Sequence, residues 1–354
     1  MKYGNKKLFL PIIFLGLATL LFVSVKAFAQ TPSTNYDVTV SPVYFDLTAD
    51  PATNVSETVR IRNNTTSPIP VKLGVEKITG DLNGNVTLTP NANDQTVSWI
   101  KFQSNTVVLK PLEWTDIPFT IQIPSDAGYG YYFAITFAQD NTSPLSKNGA
   151  VITGAAAVPI LLDVRKPGAK ADAKIMQFST TSVVNEYLPV NFVVKVENTG
   201  NIHIQPHGNI FITDGSGNNI AILDVNQSLG NILPNSARIF NASWSDGFLV
   251  REPVIIDGQA KLDKNGNPEE TLSINWNKLT SFRIGRYTAN LLLVFDNGKR
   301  DVPMEENITF WVFPYKILGG FILALIILFL LIRIALKRYV NKQLKKIEAK
   351  QKSS

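Results

Sequence analysis

Imidazoles are the side chains most often found holding metals or moving protons near neutral pH, and this 354-residue chain has two, His203 and His207. They stand four apart in VENTGNIHIQPHG, residues 196–208. That spacing puts two ligands on one face of a helix, but Pro206 and the alternating residues around it argue for extended chain. On a strand the two rings would be about 13 Å apart, too far for one ion without a bend. With no cysteine in the chain and no acidic cluster beside the histidines, the segment is expected to be a structural hairpin, with no metal bound. Replacing both rings should then be nearly neutral.

Three loops, DLNGN from Asp81, DGSGNN from Asp214 and DKNGNPEE from Asp263, alternate oxygen-bearing side chains as calcium loops do. Each misplaces the glycine and lacks the bidentate acid at the twelfth position, so turns are expected instead. Nucleophilic catalysis finds no cysteine and no Gly-x-Ser-x-Gly elbow. The carboxylate pairs Glu269-Glu270 and Glu305-Glu306 read as solvated pairs in polar loops. No enzyme activity, no catalytic residue and no cofactor are expected. Tyr129, Tyr131 and Tyr132, set among turn glycines, are the candidate ligand-binding residues, as a stacking platform for a glycan or protein partner. Trp99, Trp114, Trp244 and Trp276 fall in or beside strands and read mainly as packing.

The elements that must position these residues are short strands. VTVSPVYFDL, ETVRIRN, VKLGVEKI, WTDIPFTIQI, YYFAITF and GAAAVPILLDV are rich in β-branched and aromatic residues and are separated by Asp-Pro, Asn-Gly and Ser-Pro turns, the pattern of a β-sandwich. The pattern occurs twice. VRIRNNT from Val59 and VKVENTG from Val194 are alternating strands ending in a charged residue, Asn and Thr; Leu109-Lys-Pro111 and Leu233-Pro234 each precede a strand; Gly130-Tyr-Tyr-Phe-Ala and Gly285-Arg-Tyr-Thr-Ala each open one. Two immunoglobulin-like sandwiches are therefore expected, residues 36–165 and 174–312, the second with an insertion near 251–280. A polar linker, 166–173, would join them and allow limited hinge motion.

Both ends of the chain read as membrane signals. Lys2, Lys6 and Lys7 precede an apolar run, and Ala27-Phe28-Ala29 supplies a small-x-small pattern; residues 1–29 are expected to be a signal peptide cut between Ala29 and Gln30. Residues 317–336 include fifteen Leu, Ile or Phe, enough to favour a bilayer by roughly 5 to 9 kcal/mol against about 3 for Arg333. Ile317 and Leu336 bound this expected transmembrane helix, and Arg333 can snorkel to the headgroups. The tail, 337–354, holds seven basic residues and one acid, Glu348. By the positive-inside rule it stays in the cytoplasm, giving a single-pass membrane protein of type I topology.

The net charge of +6 belongs to these ends. Between Gln30 and Tyr315 stand 21 basic and 27 acidic residues, a net of −6, which argues against nucleic-acid binding. A secreted region without cysteine argues for a bacterial envelope protein that relies on core size rather than disulfides.

SPVYFDLTADPATNVSETVRIRNNT resembles the start of the WxL-interacting cell-surface proteins of Gram-positive bacteria, and VENTGNIHIQPHG, LPNSARIF and IGRYTANLLLVF resemble that family's membrane-proximal domain. The order of signal, two sandwiches, single span and basic tail agrees. The chain departs from the family at GYGYYFAITF, where a glycine-pair strand would stand. A broader likeness to pilus-chaperone-like immunoglobulin folds fits the same residues. The expectation is an all-β, non-catalytic surface protein whose partners are surface or envelope proteins, with a glycan- or peptidoglycan-binding protein and a sandwich-borne hydrolase as the alternatives.

Overall fold

A computed structural model describes residues 36–89, 94–140 and 155–351; the leader, with Ala29 and Gln30, lies outside them. Period-two alternation builds the first sandwich. In β3 (Asn54–Asn63) the side chains of Val59 and Ile61 are fully buried while Thr58 and Arg60 face outward, as pleating requires. One sheet has the order β1 (Val38–Ser41), β3, β8 (Trp114–Gln122), β6 (Ile100–Phe102). The other runs β2 (Phe45–Ala49), β10 (Ala155–Val164), β9 (Tyr129–Gln139), β4 (Ile69–Gly80), β5 (Val86–Thr89), and β7 (Thr106–Leu109) also pairs with β4. Between the sheets Phe45, Phe119, Phe133 and Phe137 pack with β-branched residues in one core.

The second sandwich repeats this wiring. Strands β11 (Ala173–Thr180), β13 (Val190–Asn198) and β16 (Ala237–Trp244) form one sheet; β12 (Val184–Asn185), β22 (Asp301–Val312), β21 (Gly285–Asp296), β14 (His207–Thr213) and β15 (Asn219–Val225) form the other. The parallel pair β2–β10 recurs as β12–β22 within otherwise antiparallel sheets. Val194 and Val196 are fully buried, and Trp244, Phe192 and Phe310 fill a separate core.

The segment holding both histidines is not a hairpin. β13 and β14 lie in different sheets, so residues 199–206 form a crossover between the layers. Asn198, at its start, is fully buried: its Nδ2 donates to the carbonyls of Ile202 (2.9 Å) and Ile232 (2.8 Å), and its Oδ1 accepts from the Gly200 amide at 2.8 Å. Asn63 in the first sandwich does the same with the carbonyls of Ser67 (2.8 Å) and Leu109 (3.2 Å) and the amide of Thr65 (2.8 Å). Leu109 therefore corresponds to Ile232, each two residues before a proline.

The insertion between β16 and β21 is a ribbon of β17 (Leu249–Pro253) and β20 (Glu270–Ile274) extended by β18 (Ile255–Ile256) and β19 (Gln259–Ala260). A helix, Tyr315–Gln351, closes the chain, and its stretch Tyr315–Lys342 is long and apolar enough to cross a membrane. It begins two residues before the expected Ile317 and runs past Leu336, so the basic tail continues as helix rather than starting a separate segment. Lys, Arg, Gln and Glu there are good helix formers with no glycine or proline among them.

Candidate functional site

The seam between the sandwiches holds a buried charged cluster. His203 sits on the crossover loop with only 9% of its side chain exposed. Its Nδ1 lies 3.1 Å from Asp163 of β10, and its Nε2 lies 3.3 Å from Asp46 of β2. One imidazolium thus spans two carboxylates of the other sandwich. Burial opposes the charged ring, but the two acids outweigh it and raise the pKa to about 9. The expectation that both histidines are surface residues fails for His203. The signal lay in Asp46 and Asp163, about 160 and 40 residues away in sequence, which no local pattern connects. His207 is exposed at the start of β14, with Nδ1 3.4 Å from the Gln205 carbonyl. Among the described residues no group of three or more His, Cys, Asp or Glu is arranged to hold a metal ion.

Apolar and backbone contacts reinforce this bridge. Ile78, Ala134 and Leu161 form a small core with Leu88 and Tyr132 of the same sandwich and Leu233 of the second. Backbone bonds cross from Gly130 N to Asn201 O (3.0 Å) and from Ile239 N to Leu82 O (2.7 Å). The Arg238 guanidinium lies so close to Gly84 and Gly230 that a Cβ on either would meet it near 2.2 Å. The linker is held too: Asn201 accepts from the Lys170 amide (2.7 Å) and donates to the Gly168 carbonyl (2.9 Å). A hinge there would have to break these bonds.

The three candidate tyrosines are built into this region and are half-buried, so they form no exposed platform. Tyr131 packs on Trp99 with centroids 4.6 Å apart and its hydroxyl accepts from the Gly128 amide. Tyr132 meets the His203 ring edge-on at 5.9 Å, and burial raises its pKa. Tyr129 holds a left-handed φ of 76° and lies beside Gly168 of the linker. Trp244 is fully buried, whereas Trp114 is exposed beneath Arg60 and Trp276 is 72% exposed.

The calcium-like loops fold as three copies of one turn. Asp81, Asp214 and Asp263 each accept from the backbone amides two and four residues ahead at 2.7 to 3.0 Å, and Gly84, Gly217 and Gly266 take φ of 80° to 84°. The side chains of Asn85 and Asn218 foremost, and the Asn267 amide for Asp263, together with the other turn amides hold the three carboxyls below the usual carboxylate range. The oxygens are committed to the turn. Glu305 and Glu306 are exposed on β22, and Glu269 pairs with Lys261 at 2.5 Å.

A recessed surface with binding chemistry lies on the outer face of the β1–β3–β8–β6 sheet. Register places Lys101 beside Thr120 and Thr120 beside Ser56, in one row across three strands; Ser56 and Thr120 hydroxyls are 3.2 Å apart. Glu57, Thr58, Phe102, Gln103, Pro118, Phe119 and Gln122 complete a groove of about 410 Å³. Hydroxyl, amide, ammonium and carboxylate groups beside the Phe102 ring offer both donors and acceptors to a polar chain laid across the sheet.

Residues 28–139 match the model of a family described as WxL Interacting Protein, peptidoglycan binding domain. Among curated proteins, none matches the chain. Solved structures similar to it include the class 5 fimbriae chaperone CfaA, at 14% identity over 78% of this chain and 100% of that one, TM-score 0.36. Others are the Escherichia coli chaperone DraB, at 12% identity over 77% and 98%, TM-score 0.33, and the CsuC-CsuE chaperone–adhesin complex of Acinetobacter baumannii, at 13% over 58% and 89%, TM-score 0.31.

Proposed function

We propose that the chain is a non-catalytic, membrane-anchored surface protein whose first sandwich binds peptidoglycan through the outer face of the β1–β3–β8–β6 sheet. The match of residues 28–139 to a peptidoglycan binding domain carries this reading, and the groove around Thr120 is made wholly of residues inside that match. Hydroxyls and amides on rigid strands suit a sugar polymer, whose own groups are hydroxyls and amides. The C-terminal helix would fix the second sandwich at the membrane, and the seam would hold the wall-binding face in a set direction. Surface proteins recognised through the second sandwich are the further partners this arrangement favours, as the family's description as an interacting protein supports.

Co-sedimentation of the full chain, in detergent, with purified peptidoglycan tests this. Wild type should sediment, and Thr120→Glu, which places an acid among the groove's hydroxyls, should weaken binding at least tenfold, about 1.4 kcal/mol or more, while melting as wild type does. Undiminished binding by the variant would move the site off this face. A wild-type chain that stays in the supernatant would end the peptidoglycan reading.

A further inference from the structure

The membrane end of the second sandwich gathers exposed aromatic side chains from two separate parts of the sequence. Trp311, Phe313 and Tyr315 alternate outward along the end of β22 and into the helix, at 46%, 40% and 48% exposed, while Val312 and Pro314 between them are buried. From the insertion come Trp276, Leu279 and Phe282, at 72%, 62% and 52%. Up to Tyr315 the described residues include seven exposed aromatics, and five of them lie here, so the clustering is not a general property of the surface.

Contacts fix the insertion beside the helix. Phe282 and Ile284 line a small cavity together with Pro314, the residue before the helix. Phe248 links Phe282 to Trp276, with centroids 5.8 and 5.6 Å away. The helix start is itself tied down, by Lys316 to Glu186 (2.8 Å) and by the Phe313 amide to the Asn185 carbonyl (2.8 Å). Between residues 249 and 284 five basic and five acidic residues cancel, so this region meets a lipid surface without the repulsion that the net −6 of the larger region would cause at an anionic one.

We propose that Trp276, Leu279 and Phe282 form a lipid-contacting patch that rests in the headgroup layer of the bilayer crossed by the C-terminal helix. The proposal rests on reading that helix as a membrane span. The indole of Trp276 favours the interface, where one edge is apolar and the other wet, and Leu279 and Phe282 add apolar area beside it. Continuity with the span is what selects lipid over a protein partner: a patch held against Pro314 is at headgroup depth once the helix is in place. The two attachments, helix and patch, would then fix the tilt of the second sandwich on the membrane.

The test needs no variant. The full chain is placed, one copy per disc, in phosphatidylcholine–phosphatidylglycerol nanodiscs containing a phospholipid with a photoactivatable diazirine near its glycerol end. After illumination and trypsin digestion, adducts are mapped by mass spectrometry. Adducts are expected on the helix, on peptide 265–278 with Trp276, and on peptide 279–283 with Leu279 and Phe282, well above the peptide holding the exposed Trp114. A labelled helix with unlabelled insertion peptides would overturn the patch and leave the span standing. An unlabelled helix would overturn the span itself. Equal labelling of the Trp114 peptide, or insertion adducts only in discs with two copies, would also overturn it, the latter by assigning the patch to a second copy.

Discussion

At the scale of single residues, Asn63 and Asn198 do the same work in the two sandwiches. Each side chain closes the turn after its own strand and captures a carbonyl from a distant one. Alanine at 198 would remove three hydrogen bonds from a buried place, although Ile232 O keeps the Ile204 amide and Gly200 N keeps the Asp172 carbonyl, so Asn198→Ala should cost about 2 kcal/mol in chemical denaturation. His203 acts between the sandwiches. Its pKa of about 9 stands above the ordinary 6.5; the stability it contributes is therefore complete below about pH 6.5 and fades as pH rises through about 9. Melting of the detergent-solubilised chain should drop over that window by the equivalent of up to about 3 kcal/mol. His203→Gln should lie lower at pH 6.5 and show no such slope. His207→Gln should keep the wild-type curve.

At the scale of elements, the repeated Asp-x-x-Gly-Asn turn shows how one local solution serves different surroundings. A Cβ added at Gly217 would meet nothing within 4 Å, so Gly217→Ala should cost only the left-handed backbone, about 1 kcal/mol. Gly84 takes the same φ but faces the Arg238 guanidinium across the seam. Gly84→Ala should therefore cost clearly more, and the excess should shrink in an Arg238→Ala background. A double-mutant cycle by denaturation measures this coupling; equal costs for both glycines would mean that Arg238 yields freely.

At the scale of the whole molecule, the seam decides whether the sandwiches move together. Leu233 meets Ile78, Ala134 and Leu161, and an acid there would lose solvation among aliphatic side chains. Leu233→Asp should leave both cores folded by near-ultraviolet circular dichroism but loosen the linker. Trypsin should then cut after Arg165 or Lys170 faster than in wild type. Topology has its own test: protease added to intact cells should remove residues between Gln30 and Tyr315 while sparing an epitope at Ser354, and digestion of that epitope in sealed cells would reverse the orientation.

Much of the architecture was legible from the sequence because it follows from local periodicity. Alternation placed Val194 and Val196 in a core, fifteen large apolar residues in twenty marked the helix, and the recurrence of VRIRN and VKVEN announced two copies of one sandwich. The Asp-led turns were legible as turns because their hydrogen bonds close within five residues. What tertiary structure alone decided are the pairings made at long range. His203 reads as a surface residue until the second sandwich brings it between Asp46 and Asp163. Tyr132 reads as a platform until the seam covers it. The row of Lys101, Thr120 and Ser56 exists only through the register of three strands. Burial and charge pairing depend on distances between residues far apart in the chain, and those distances are set by the fold rather than by neighbours in sequence.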